Sequence, residues 1–383
     1  MPQRSIFRIS NQETKRREIF HFAFLISKLS QMKKIVKQVA AIDVAQKELV
    51  VCLGRMYDDW TPELYAHKTF ANAAKGFEAL LAWVQKHSDQ SIAIRFVMEA
   101  TGVYHEALAY FLEEKDKEVT IVLPSKISSY MRTLDVKTIT DKTASEAIAR
   151  FGIERKLDTW KRPKDIFRKL RQLTRERDQI VEERTMVKNQ LHADRTEAYS
   201  NKSSLARINA RIKILNKQEQ EIKTEIAELL SSDTEIKKTV VLICSLSGIG
   251  LLTAAIVLAE TNGFDLIRNK RQLASYAGFD VREKQSGTSI KGKPKISKKG
   301  NKHLRKAMHL PALSAIRHDQ RFKAVFARLV SKHGIKMKAA VAVQRRLLEM
   351  IYTIYKTNKK YDKQHLTKKI KELQEIAEVE ATV

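Results

Sequence analysis

The sequence has few of the residues that mark secreted or membrane-spanning proteins. Its 383 residues include only two cysteines, Cys52 and Cys244, which lie far apart and in apolar surroundings. Two isolated thiols form neither a disulfide framework nor a zinc-binding pattern, and they fit a reducing compartment such as the cytoplasm. No apolar run approaches the roughly 20 residues needed to cross a bilayer. We therefore expect a cytoplasmic protein and no membrane span.

Acidic residues are also scarce relative to basic ones. The chain has 72 Lys and Arg against 44 Asp and Glu, a formal net charge of +28 and a pI near 9.9. Such a surplus favours phosphate backbones as partners, because neutralising them releases condensed counterions. An acidic membrane surface is the competing explanation. The length allows two or three domains, each with its own core.

The first part of the chain divides into an extension and an α/β domain. Residues 1–36 are expected to be a disordered N-terminal extension. Residues 37–160 alternate short β-rich runs with helical patterns, which indicates an α/β sheet. A tight connection between the strand ending in Asp43 and the strand Glu48–Leu53 implies an antiparallel start to that sheet.

Three acids punctuate this domain. Asp43 ends a strand, Glu99 closes the run Ile92–Met98, and Asp141 opens a helix in the stretch TDKTASEA. Acids at strand ends are ordinary turn residues, Asp141 can be an N-cap, and Thr143 with Glu146 fits a capping box. Alternatively the three acids converge and hold Mg²⁺, because hard cations take oxygen ligands. Spacing alone leaves both readings open.

Residues 161–236 carry two heptad segments separated by a polar break. The apolar steps begin at Ile166 and again at Leu205, and they predict an antiparallel coiled-coil hairpin with arms of about 40 Å. Arg177, Arg184 and Glu219 interrupt the apolar seams, which costs stability but can fix the register. We expect a spacer or dimerisation arm that carries no chemistry itself.

Residues 237–358 are predicted to form a helical domain, followed by a charged tail at 359–383. The stretch SLSGIGLLTAA fits a helix-hairpin-helix element, whose Gly248 and Gly250 would let backbone N–H groups approach a phosphate. The plain alternative is a helical turn that merely needs glycine.

The most basic part of the chain lies within this helical domain. Between Arg282 and Lys306 it has ten Lys or Arg and one acid, Glu283, with Ser286 on a turn-prone loop. The run then passes into a predicted amphipathic helix, Asn301–His318. A basic run is commonly a solvated or phosphate-binding face, and here it surrounds one candidate nucleophile. The residues expected to bind nucleic acid are Lys284, Lys291, Lys293, Lys295, Lys298, Lys299, Lys302 and Arg305.

Six motifs in the chain resemble the DEDD-type insertion-sequence transposases of the "one-ten" family, described as bridge-RNA-guided recombinases. The resemblance covers about residues 37–355. It implies a ribonuclease-H-like domain, similar to Holliday-junction resolvases, followed by a helical transposase domain with a nucleophilic serine. The motifs are AAIDVAQKELVVC, FVMEATGVYHEAL, TDKTASEAIARFG, SLSGIGLLTAAIVLAE, QLASYAGFDVREKQSG and KGNKHLRKAMHLPA.

The resemblance also implies roles for individual residues. Asp43, Glu99 and Asp141 match the first three acids, which would be catalytic and hold Mg²⁺, and Ser286 matches the nucleophile. The position of the family's fourth acid is Ala144, a departure from the pattern. Glu146 is a poor substitute, since five helical residues place it roughly 140° away from the third acid. Either metal binding is altered or this copy is impaired.

Three functions are compatible with these features. The leading one is a transposase that cuts and rejoins DNA through a covalent serine–DNA intermediate, guided by a non-coding RNA and acting as a homo-oligomer. The second is a resolvase-like nuclease that uses metal-activated water. The third is a catalytically decayed nucleic-acid-binding protein, which the alanine at the fourth acid position would explain.

Overall fold

A computed structural model describes most of the chain. The described residues are 33–100, 102–134, 138, 140–265, 267–283, 285–286, 290–292 and 294–362. The chain forms two compact units, Met1–Arg162 and Pro163–Val383, called here the N-terminal and C-terminal units. Most of the predicted extension and of the charged tail lies outside the described residues. No helix in the described ranges is long and apolar enough to cross a membrane.

The N-terminal unit is built on one five-stranded mixed sheet in the order β3-β2-β1-β4-β5. The first three strands form an antiparallel meander, and β4 and β5 run parallel to β1. This mixed sheet confirms the predicted α/β class. The strands are β1 (Ile35–Val44), β2 (Glu48–Tyr57), β3 (Pro62–Ala71), β4 (Ile94–Glu99) and β5 (Glu118–Val122).

Helices cover both faces of this sheet. Successive residues of β1 point to opposite faces, so Ala40 and Ile42 join one apolar core while Val39 and Ala41 join another. A strand buried on both faces reads as a continuous apolar run, as QVAAIDV does. The four helices are α1 (Ala74–His87), α2 (Glu106–Glu114), α3 (Pro124–Met131) and α4 (Asp141–Glu154).

The C-terminal unit begins with two long helices packed side by side. These are α5 (Asp165–Thr196) and α6 (Lys202–Ser232), and each spans about 48 Å at 1.5 Å per residue. A five-residue connection makes them antiparallel, and Val187 and Leu191 pack with Ile208 and Leu215. The predicted helical hairpin is therefore present. Its supercoiling stays a prediction.

The charged residues that interrupt the hairpin seam meet in one cluster. The buried carboxylate of Glu219 accepts hydrogen bonds from Arg177 at 2.9 Å, from Lys223 at 2.9 Å and from Arg184. Burial opposes ionisation of Glu219, but these three cations outweigh it and lower its pKa from 4.5 to about 2. The charged residues that interrupt the apolar seam thus form an ionic layer between α5 and α6, in which cations compensate the buried negative charge of Glu219.

Seven further helices lie in the described part of the C-terminal unit. They pack with the base of α5 around one large core that includes Phe167, Phe264, Phe322 and Leu347. Together with the sheet of the first unit they confirm the predicted α/β plus helical organisation. The helices are α7 (Thr234–Cys244), α8 (Leu251–Thr261), α9 (Lys270–Ala277), α10 (Lys302–Ala307), α11 (His309–His318), α12 (Gln320–His333) and α13 (Lys336–Thr357).

The single helix predicted over Asn301–His318 is wrong in one respect, because it is divided at Met308 into α10 and α11. Pro311 follows shortly after this break, and proline has no N–H to donate to the carbonyl four residues earlier. The predicted apolar face is correct, since Leu304, Met308, Ala312 and Ala315 are all fully buried.

The ionic layer generates a stability prediction. Glu219→Gln should lower the free energy of unfolding of the C-terminal unit by about 2–3 kcal/mol, because it leaves Arg184 half-buried without a charge partner and Arg177 with Asp178 alone. The wild-type contribution should fade as pH falls from about 4.5 towards 2, since the folded-state pKa is depressed. Urea unfolding followed by far-ultraviolet circular dichroism measures both effects.

The control replaces Arg177, Arg184 and Glu219 together with leucine. Removing the whole buried group should change the stability by less than about 1 kcal/mol or increase it. If Glu219→Gln and the triple leucine variant lost equal free energy of unfolding, the stabilisation of this layer by ion pairs would be contradicted.

Candidate active site

Two of the three predicted acids lie at the same edge of the sheet. Asp43 is next to the last residue of β1 and Glu99 is the last residue of β4. These strands are parallel neighbours. Ile42 of β1 is paired with Met98 of β4, so the next residue of each strand, Asp43 and Glu99, lies at the same level at the carboxyl ends. That edge is where open α/β sheets place their ligand sites. Asp141 begins α4, which packs on β1 and β2.

The electrostatics of Asp43 connect the three acids. The pKa of Asp43 is raised from 3.8 to about 6, chiefly by burial and in addition by the nearby charges of Asp141 and Glu99. The backbone N–H of Val44 opposes this shift only in part. Asp43 is therefore partly buried beside two like charges, the situation that raises a carboxyl pKa most effectively.

This donor set fits a hard divalent cation in its chemistry. It offers only carboxylate oxygens, which Mg²⁺ and similar ions prefer, and a bound cation would relieve the repulsion recorded in the pKa of Asp43. Across the described residues, however, no three His, Cys, Asp or Glu side chains are already grouped closely enough to hold an ion. Metal binding would have to draw the carboxylates of Asp43, Glu99 and Asp141 together.

The start of α4 corrects two predictions about capping. The N-cap is Thr140, so Asp141 is the first helical residue and not the cap. The capping box joins Thr140 and Thr143, with the N–H of Thr140 donating to the Thr143 hydroxyl at 2.8 Å. Glu146 does not take part in this box.

Neither polar residue beside Ala144 supplies a fourth acid. Glu146 lies 3.2 Å from His67 of β3, on the side of the sheet away from β4. Ser145 is buried, and its hydroxyl donates to the carbonyl of Lys142 at 2.8 Å. Position 144 therefore stays without a carboxylate, and its neighbours are engaged elsewhere.

Ser286 belongs to the C-terminal unit and lies in a short two-stranded ribbon. Its inner pairs join β6 (Val281–Arg282) to β9 (Lys295–Ile296), and its outer pairs join β7 (Gln285–Ser286) to β8 (Ile290–Lys291). The backbone of Ser286 pairs with that of Ile290, at the end of β7. The predicted loop placement is thus corrected to a strand end, and the Ser286 side chain lies outside the described structure.

The predicted phosphate-binding cations divide into two groups. Lys295, Lys298, Lys299 and Lys302 are exposed along the ribbon and its base. Arg305 instead uses Nη1 to donate to the backbone carbonyl of Ala277 at 2.8 Å. Lys284, Lys293 and the side chain of Lys291 lie outside the described residues.

A buried carboxylate anchors the base of the ribbon. Glu260 of α8, with 2% of its side chain exposed, accepts hydrogen bonds from Nε and Nη2 of Arg175 at 2.8 and 3.0 Å and from Nδ2 of Asn301 at 2.6 Å. Burial opposes its ionisation, but these donors hold the pKa of Glu260 below its usual range. The hydroxyl of Tyr276 donates to the Glu260 carbonyl at 2.8 Å.

The two ends of the ribbon are joined at this anchor. The N–H of Asn301 donates to the carbonyl of Tyr276 at 2.8 Å, and that of Ser297 donates to Asp280 at the same distance. Gly300 has φ 151°, and a Cβ there would lie 2.4 Å from the Tyr276 carbonyl. A side chain at position 300 would therefore force the two ends apart. The sequence analysis did not predict the pairing of Arg175 with Glu260. The available signal was that Glu260 is a single acid at the end of the apolar run AAIVLAE.

The predicted helix-hairpin-helix glycines have different surroundings. Gly248 has φ 86°, and a Cβ there would lie 2.4 Å from the carbonyl of Pro311, so packing against α11 requires glycine. Gly250 caps α8, and no atom lies within 4 Å of where its Cβ would stand. The close approach of a phosphate therefore stays a prediction, and it concerns Gly250 more than Gly248.

Two family models match separate parts of the chain. A DEDD transposase model of the IS110 type matches residues 40–196, and a model described as "Transposase IS116/IS110/IS902 family" matches residues 241–327. Together they cover more than half of the chain, and the first contains Asp43, Glu99 and Asp141 while the second contains Ser286.

Named relatives extend this similarity over nearly the whole chain. The chain is 27% identical over 332 residues to proteins named "Pilin gene-inverting protein" from Moraxella lacunata and Moraxella bovis, covering 85% of this chain and 98% of each relative. Among solved structures, Thermus thermophilus RuvC overlaps 32% of this chain and 99% of its own, with 10% identity and a TM-score of 0.24.

The raised pKa of Asp43 generates a prediction for the metal-free protein. The folded state binds the Asp43 proton more tightly than the unfolded state, so the wild type loses stability as pH rises from about 4 to 6. Asp43→Asn should therefore stabilise the N-terminal unit by about 1–2 kcal/mol at about pH 7.5 and change little below about pH 4. The three tryptophans all lie in this unit, so fluorescence in the presence of a chelator reports its unfolding alone.

A carboxylate with the opposite shift provides the control. Hydrogen bonds from Arg55 and Tyr57 lower the pKa of Glu63, so Glu63→Gln should give no gain at neutral pH. If Asp43→Asn stabilises the unit equally at both pH values, like-charge repulsion is not the cause.

The ribbon anchor generates a second prediction. Glu260→Gln keeps the shape of the side chain but removes the charge that Arg175 binds, a loss of about 1–2 kcal/mol. The amide hydrogens of Ser297, Lys298 and Asn301 should then exchange with solvent roughly 10-fold faster by mass spectrometry. Arg168→Ala, which breaks an exposed pair with Asp165 on the same helix, should leave these three amides unchanged; equal effects of both variants would contradict the anchor.

Proposed function

From the premise that the chain belongs to the IS110 family of transposases and is a DNA-cutting enzyme, we propose that it breaks and rejoins DNA through a covalent bond to Ser286. Asp43, Glu99 and Asp141 are proposed as the ligands of a divalent metal, with Mg²⁺ the expected ion. The observation that carries the proposal is that Asp43 and Glu99 lie at one edge of the sheet, and that burial together with the nearby charges of Asp141 and Glu99 raises the pKa of Asp43.

The carboxylates and the serine have complementary tasks in this reaction. A divalent cation, when bound, would neutralise charge on the scissile phosphate and lower the pKa of an attacking hydroxyl. Asp43, Glu99 and Asp141 would hold that ion by their oxygens, and Asp43 must be deprotonated to do so. Activity should therefore rise with pH through the pKa of Asp43, near 6 in the metal-free protein.

The covalent step is a phosphoryl transfer that conserves the bond. The Oγ of Ser286 loses its proton and attacks phosphorus, the bond from phosphorus to one sugar oxygen breaks, and that oxygen takes up a proton as a hydroxyl. A sugar hydroxyl of another strand then attacks the phosphoserine and releases Ser286. The anchored base of the ribbon supports this role, because Lys295, Lys298, Lys299 and Lys302 are exposed there and could bind DNA phosphates near the segment that contains Ser286.

The partners follow from the same proposal. DNA is the substrate that a transposase implies, and the relatives named for pilin gene inversion support strand exchange as the outcome. A non-coding RNA guide and a homo-oligomer belong to the proposal as well. In that arrangement the protein reads backbone and shape, and the base sequence is read by pairing.

The same three acids also support a second candidate, hydrolysis by metal-activated water without a serine intermediate. In that reaction the same three acids hold the ion and water replaces the Ser286 hydroxyl as the nucleophile. Only the second candidate leaves cleavage intact when the serine is removed, so one experiment separates the two.

The experiment uses the full-length protein with a plasmid that carries the whole element and its flanking DNA. The wild type should form an adduct with DNA that survives denaturing electrophoresis, and its phosphopeptide should contain Ser286. Ser286→Ala should reduce cleavage and adduct formation by at least about 1,000-fold. Ser289→Ala, which removes a hydroxyl three residues away, should keep both.

Three results would decide against the serine reaction or refine it. An adduct in Ser286→Ala would overturn the assignment, and cleavage that survives in Ser286→Ala but not in Asp43→Asn would establish the water reaction. Ala144→Asp belongs in the same assay, because a fourth carboxylate restores the family pattern. A gain of about 10-fold or more would show that Ala144 limits metal binding in this copy.

A further inference from the structure

The helical hairpin carries an uneven distribution of charge along α6. Its first half, residues 202–217, contains five basic residues and no acid, whereas residues 218–232 contain four acids and one lysine. The five cations are Lys202, Arg207, Arg211, Lys213 and Lys217. A helix that only supported the hairpin would not need this separation, since alternating charges keep an exposed helix soluble and form stabilising pairs.

The exposed cations of this half lie on two flanks of α6: Arg207 and Arg211 are about 40° apart around the helix, whereas Lys213 lies roughly 160° from Arg211. The seam residues Ile208 and Leu215 are buried against α5, while Arg207, Arg211 and Lys213 are exposed. Arg207, Arg211 and Lys213 have no ion pair with any residue that the structure describes. Two acids of the second half of α6, by contrast, do form ion pairs. Glu221 lies 3.6 Å from Lys217, and Glu219 belongs to the ionic layer.

The tip of the hairpin adds an exposed aromatic side chain. Tyr199 is 95% exposed in the loop between the helices, and Arg195 and Lys202 flank it in sequence. Two acids also lie near the tip, Asp194, whose carboxylate accepts from the Ser204 hydroxyl at 3.3 Å, and the exposed Glu197. Arginine, lysine and tyrosine side chains all donate hydrogen bonds to the phosphates and sugars of DNA.

We propose that the face of α6 that carries Arg207 and Arg211, within the basic half 202–217, binds the sugar-phosphate backbone of duplex DNA. This stretch spans about 22 Å, along which a duplex presents roughly 13 phosphate charges. Arg207 and Arg211 lie one helical turn apart, about 6 Å along the axis, so both can contact one duplex. The hairpin would then bind DNA in addition to its predicted role as a spacer or dimerisation arm. The inference does not depend on Ser286.

The test compares two full-length variants with the same loss of charge. Arg207→Ala with Arg211→Ala removes two unpaired cations of the face. Arg168→Ala with Lys238→Ala removes two cations that are paired with Asp165 and Glu235 on other helices of the same unit. Fluorescence anisotropy measures the affinity for a duplex DNA at several salt concentrations. Circular dichroism confirms that both variants stay helical.

The proposal predicts a change in salt dependence and not only in affinity. Each phosphate contact contributes about −0.9 to the slope of log K against log salt, so the first variant should lose between about 1 and 2 of that slope. Its affinity at about 100 mM salt should fall roughly 10-fold or more. The control and the charge-preserving change of both arginines to lysine should keep the wild-type slope.

The remaining outcomes each overturn the proposal. Equal slopes for the arginine variant and the control would show that the face makes no phosphate contacts. A change seen with an RNA duplex of the same length, but not with DNA, would assign the face to RNA. An unchanged slope with a smaller oligomer in sedimentation would make the face a contact between copies of the chain.

Discussion

A buried carboxylate needs a compensating positive charge, and this requirement organises the structure at three places. Glu219 receives it from Arg177, Arg184 and Lys223, and Glu260 receives it from Arg175. At the third place burial and two further carboxylates act on Asp43, and its pKa rises where those of Glu219 and Glu260 fall. Although the chain has a net charge of +28, Asp43 lies beside two further carboxylates. A metal cation from solution would compensate the negative charge at this edge of the sheet.

The sequence predicts the parts of this structure that depend on periodicity. The strand β1 is a continuous apolar run, and the two arms of the hairpin repeat apolar residues at heptad spacing, so their existence follows from burial patterns. The end of β1 and the end of β4 are also readable, which is why Asp43 and Glu99 could be placed at one edge once a parallel pairing is assumed.

The features that sequence could not supply are those that depend on distant contacts. Arg175 and Glu260 are 85 residues apart, and nothing in either segment names the other as its partner. The pairing of Glu146 with His67 likewise depends on how α4 crosses the sheet. The division of the predicted Asn301–His318 helix was accessible in principle, because Pro311 is visible in the sequence, but the apolar spacing runs through it unchanged.

The helix α5 joins two of these ionic groups on opposite sides of its own axis. Arg175 and Arg177 are two residues apart, or about 200° around a helix, and one binds the base of the ribbon while the other binds α6. Rotation of α5 about its axis would stretch both pairs at once. The two pairs therefore fix the rotation of α5 about its axis at this level, relative both to α6 and to the base of the Ser286 ribbon.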